Sequence, residues 1–153
     1  MKKYIITSCV YMAIGLAFGV FFREFTKFFE YTGATALGKL HLHSLVLGTV
    51  FFLLVALFES KLGLRKSKLE RWFFAVYNAG MGVFLCMLLV RGVLQVSGAD
   101  LSSGANGAIS GVAGIGHALL AAGLVLFFVM LLKNCKAASA GAAARDEDEK
   151  NAA

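Results

Sequence analysis

Four long apolar runs, separated by short polar connections, leave this chain few ways to fold. They extend from Tyr4 to Phe22, Ala36 to Phe58, Trp72 to Val96 and Gly107 to Leu132. Each is about as long as the roughly 20 residues an α-helix needs to cross a bilayer. Lipid offers backbone amides no water to bond, so such runs become helices. The chain of 153 residues is 59% hydrophobic and only 16% charged. That balance belongs to an integral membrane protein. The expected fold is all-α, a four-transmembrane-helix bundle over residues 1–136. An alanine-rich tail, residues 137–153, is expected to be disordered.

Charge sets the orientation. Basic residues gather at Lys2-Lys3, along Lys61 to Arg71, and from Lys133 to Lys136. Four spans put both termini on one side, and all three clusters fall there. The positive-inside rule makes that side cytoplasmic, with both termini in. The formal net charge of +6 is thereby accounted for, and no nucleic-acid partner is expected. Cys9, Cys86 and Cys135 are odd in number and far apart, which argues against a disulfide framework or a zinc knuckle. Cys9 is expected to be buried in the first helix. The chain has no proline to force a kink. Gly15 and Gly19 form a G-x-x-x-G helix-contact spacing. Nucleophile-elbow, P-loop and dinucleotide motifs are missing, which sets aside a soluble-type hydrolase.

The residues that call for explanation are the three histidines. His41, His43 and His117 all stand near the start of an inward-running span, at the end away from the three basic clusters. Arg23, Glu24 and Lys27 close the first span there, and Arg91 and Gln95 close the third. An ionisable ring within a membrane span costs free energy and marks a functional site by default. Interfacial anchoring of the long basic side chains, and hydrogen-bonded packing of the rings, are the plain alternatives. Two residues apart on a helix point about 200° from each other. His41 and His43 therefore serve different places, and a single small ion cannot take both from a regular helix. The His41 face continues through Ser44, Leu45 and Gly48, and the His117 face includes Ala113, Gly114 and Ala121. Small residues beside an imidazole leave room for a flat guest. Haem b answers that description, with imidazole as axial ligand and arginines on the propionates. The alternative, which holds equally for Gly107, Gly111 and Gly114, is that the small residues only allow tight helix packing.

Several motifs carry a resemblance. Arg23-Glu24-Phe25-Thr26-Lys27, His41-x-His43-x-x-x-x-Gly48, Tyr77-Asn78-Ala79-Gly80, Val90-Arg91-Gly92 and Gly114-Ile115-Gly116-His117 resemble an uncharacterised bacterial family of small four-helix membrane proteins. The resemblance covers about Met1 to Lys133. It implies a multi-pass protein of the bacterial cytoplasmic membrane and brings no activity. The His-x-His is also similar, by analogy, to one in the catalytic subunit of haem-copper oxidases, where two histidines on opposite faces of one helix bind two haems. That subunit has pseudo-threefold arcs of four helices, and a homotrimer of this chain would reproduce the plan. No partner to a copper site is present, so oxygen reduction is not implied.

Three functions follow as expectations. The first is a b-type haem-binding membrane protein for electron transfer or diatomic-gas sensing. His117 and one of His41 or His43 would be axial ligands, with Arg91 and Arg23 on the propionates. The second is a metal-ion or proton transporter or channel, with His41, His43, His117 and Glu24 lining an outer vestibule. The third is a non-catalytic accessory subunit of a membrane complex. A homo-oligomer in the lipid bilayer is expected throughout, and no redox partner is specified.

Overall fold

The computed structural model describes residues 1–64 and 68–152. They form four long helical elements: α1 (Lys2–Phe28), α2 (Leu37–Leu62), α3 (Lys68–Val96) and α4 (Ser103–Ala152). Each contains a segment long and apolar enough to cross a membrane, which in α4 is Ser103–Lys136. No strand occurs among the described residues. Arg65, Lys66 and Ser67, part of the basic connection, lie outside them. α1 runs on to Phe28, so Arg23 to Lys27 form its last turns and not a separate surface segment. Beyond Lys136 the helix continues to Ala152, through the stretch that composition marks for disorder. Alanine is the strongest helix former, and that propensity competes with the lack of apolar surface to bury.

The turns between helices have local causes. Gly63 ends α2 in the left-handed conformation, φ 64°, with its amide bonded to the Glu59 carbonyl. A residue without Cβ takes that conformation at little cost. At the start of α2, Gln95 Oε1 accepts from the Ala36 amide at 2.8 Å, and Thr35 Oγ1 donates to the Gly92 carbonyl at 3.1 Å. The end of α3 thus supplies partners for the start of α2.

α2 and α3 occupy the middle of the bundle, with α1 packed on α2 and α4 packed on α3. The α3–α4 seam is built on glycine. A Cβ on Gly80 would come within 2.7 Å of the Leu120 amide nitrogen, and one on Gly116 within 3.0 Å of the Phe84 nitrogen. Small residues of this kind let membrane helices approach closely. On the other seam, Gly15 receives Leu45, and Gly19 faces His41. The Gly15–Gly19 spacing therefore serves the α1–α2 contact.

α2 is not regular. Ser44–Val50 is π-helical, directly after His43. No proline is responsible, and the widened turns lie where α2 fits closely against α1. A Cβ on Gly48 would lie 2.4 Å from the Tyr11 ring, while Ser44 Oγ donates to the Tyr11 carbonyl at 2.9 Å. Carbonyls of the widened turns accept side-chain hydroxyls: Leu47 from Tyr77 at 2.9 Å, and Thr49 from Ser8 at 2.9 Å. Tyr4, Phe52, Phe73, Tyr77 and Phe127 fill the core of the lysine half of the bundle. Ile6, Leu16, Val20, Leu57, Val125, Phe128 and Leu132 are exposed large apolar side chains suited to lipid. Cys9 is exposed, contrary to the expectation of burial, because Ser8 and Tyr11 take the inward positions on that stretch of α1.

Candidate functional site

The two histidines of α2 diverge, as their spacing requires. His43 turns toward α3, where its ring meets Phe84 edge to face, centroids 5.2 Å apart. His117 of α4 meets the same phenyl ring at 4.6 Å, also edge to face. α2 packs closely on α4 only along Phe51–Leu62. Toward the histidine end these two helices part, and the buried Phe84 of α3 lies between two imidazoles from different helices.

Each of these rings is held in the same way. Nδ1 of His43 lies 2.7 Å from the Lys39 carbonyl, and Nδ1 of His117 lies 2.9 Å from the Ala113 carbonyl. A carbonyl only accepts, so Nδ1 is the donor in both. In the neutral ring the lone pair is then on Nε2, which has no partner among the described residues. Backbone-anchored Nδ1 with free Nε2 is how a ligating histidine is oriented. A shallow cavity of about 280 Å³ lies beside His43, lined also by Leu42, Val46 and Leu47. Around His117 the face of α4 is open: a Cβ on Gly107, Gly111 or Gly114 would meet nothing within 4 Å.

Arg91 belongs to the same seam. Its Nη2 donates to Ser110 Oγ at 2.7 Å, and Ser110 donates on to the Asn106 carbonyl at 2.9 Å. Arg91 is seven residues beyond Phe84, and Ser110 seven before His117. The guanidinium therefore stands two turns, about 10 Å, nearer the tip of the bundle than the imidazoles. It lines a small cavity of about 120 Å³ with Gln95 and Asn106.

His41 and Arg23 lie elsewhere. The His41 ring stacks on Phe22 of α1, centroids 6.5 Å apart and nearly parallel, and its buried Nδ1 meets no hydrogen-bond partner among the described residues. The room that Ser44, Leu45 and Gly48 would leave on this face is taken by α1 itself, through Tyr11 and Gly15. Arg23 is exposed and pairs with its neighbour Glu24 at 3.1 Å. The three histidines and two arginines thus do not meet in one pocket of a single chain. His43, His117 and Arg91 share the α3 side, while His41 and Arg23 stay with α1. Among the described residues no three of His, Cys, Asp and Glu are grouped to hold a metal ion.

Two polar clusters escaped sequence reasoning. At the lysine end Glu70, buried in α3, accepts from Lys3 at 2.7 Å and from the Tyr4 hydroxyl at 2.6 Å. The Lys3 ammonium also lies 3.6 Å from the Phe74 ring centroid. The available signal was a lone acid in a basic connection, at the start of an apolar run. Farther in, the Tyr11 hydroxyl donates to Asn78 Oδ1 at 2.9 Å, and Asn78 Nδ2 donates to the Phe74 carbonyl at 2.7 Å. Asn78 stood out as a polar residue of the third run, but Tyr11 looked like any aromatic.

Helical throughout its spans, with an imidazole pair on a shared phenyl ring, the chain is a small four-helix protein of membrane-spanning type. It belongs to a family described as protein of unknown function (DUF2871), whose profile matches residues 1–134. No curated protein and no solved structure matches the chain.

Proposed function

We propose that the protein binds b-type haem in the bacterial cytoplasmic membrane, with both termini inside, and serves in electron transfer or gas sensing. One observation carries this reading. His43 and His117 come from different helices to one phenyl ring, each with Nδ1 tied to a carbonyl and Nε2 unpartnered. The residues suit the group: imidazole nitrogen is the donor haem iron takes, and the open glycine face beside His117 suits a planar guest. Haem, when bound, supplies an iron centre that exchanges one electron or takes a diatomic ligand. His117 and His43 would each offer an imidazole nitrogen to the iron. Arg91, nearer the tip of the bundle, would pair with the propionates. Phe84, which lies between the two rings, would turn aside for one iron to take both. His41 and Arg23, on the other side of α2, are left out of this site.

The test is the optical spectrum of the protein purified from cells supplied with ample haem. A Soret band at near-stoichiometric intensity is expected. Folded, colourless, metal-free protein would leave the imidazoles as packing groups of a structural subunit and end this proposal.

A further inference from the structure

A second site lies on the opposite flank, between α1 and α3, and does not depend on the haem reading. These helices touch mainly through long side chains, and between them runs a slot of about 450 Å³. Its walls include Ile6, Val10, Ile14 and Phe18 from α1, and Leu85 and Leu89 from α3. From Ile6 to Phe18 a helix rises about 18 Å, so the slot is long and narrow. Gly82 keeps it open, since a Cβ there would meet nothing within 4 Å. The walls are apolar except where Thr7, Tyr11 and Asn78 face it, and the Thr7 hydroxyl is spent on the Lys3 carbonyl.

The Tyr11–Asn78 pair has capacity to spare. Asn78 carries two N–H donors, and one is used on the Phe74 carbonyl. The Tyr11 hydroxyl spends its proton on Asn78 and keeps an oxygen able to accept. Tyr11 is about two and a half turns in from Lys2, about 13 Å, which puts the pair near mid-bilayer. A charged head group at that depth would be costly with no counter-ion beside it. A long apolar slot holding one neutral donor fits a neutral lipid with a ring carbonyl. We propose that the α1–α3 slot binds an isoprenoid lipid of the quinone class. Its carbonyl would take the free Asn78 N–H, and its tail would run past Gly82 and Cys86 toward Leu89.

The experiment is a titration of the full-length protein in nanodiscs with a decyl-tailed benzoquinone. A saturable site of about one per chain is expected. Gly82→Leu, which fills the slot without touching the polar pair, should abolish binding. Asn78→Leu should weaken it about tenfold, as loss of one hydrogen bond requires. Cys86→Phe, at the far end, should shorten the slot and disfavour long tails over short ones, which keeps the test valid if the Asn78 variant folds poorly. Unchanged binding in Gly82→Leu, or equal competition by a decyl chain lacking carbonyls, would overturn the proposal.

Discussion

Single side chains at the two ends of this bundle do different jobs. At the lysine end, Glu70 is 5% exposed, and Lys3 and the Tyr4 hydroxyl both donate to it. Replacing it by leucine leaves those two donors with one acceptor fewer. The expected cost of Glu70→Leu is about 1–3 kcal/mol, the range for stranding hydrogen-bonded and charged partners. Thermal unfolding in detergent measures it, and Glu24→Leu is the control, since Glu24 is exposed and pairs with its neighbour Arg23. At the histidine end, spacing alone showed that His41 and His43 part company. It could not show which neighbour each would find. That depends on Phe84 and Phe22, two phenylalanines among fourteen, neither of which carries a mark in the sequence.

At the scale of helices, the apolar runs declared themselves because length and hydropathy are local properties. The G-x-x-x-G of α1 also pointed correctly to a helix contact. Other features depend on tertiary fit and were not legible. The π-helical turns of Ser44–Val50 follow no proline, and arise where Tyr11 presses on Gly48. The glycines of α4 looked alike in sequence but divide into two sets. Gly116 and Gly123 are closed against α3, whereas Gly107, Gly111 and Gly114 face open space. This division makes a prediction. Gly116→Leu should destabilise the bundle by about 1–3 kcal/mol through overpacking, and Gly111→Leu should leave unfolding unchanged. Equal effects in calorimetry or thermal denaturation would contradict the seam described.

For the whole molecule, the even number of candidate spans and the three basic clusters predict an inward orientation for both ends. A membrane-impermeant maleimide tests it directly. In inverted vesicles Cys135, at the lysine end of the last span between Lys133 and Lys136, should be labelled. Cys9 and Cys86, exposed on apolar surfaces within the spans, should not. A Ser102→Cys variant should react only from the opposite side, in intact spheroplasts. The convergence of histidines was legible only as a shared end of the bundle. Their division between two flanks came from the order in which the helices pack.

The most direct measurement is haem occupancy, read as Soret absorbance per chain, across the three single histidine variants. His117→Ala and His43→Ala should lose the band, and His41→Ala should keep it, because its ring stacks on Phe22 on the other side of α2. A band that survives in both His43→Ala and His117→Ala, or one that disappears in His41→Ala alone, would contradict the assignment of the site to the α3 side.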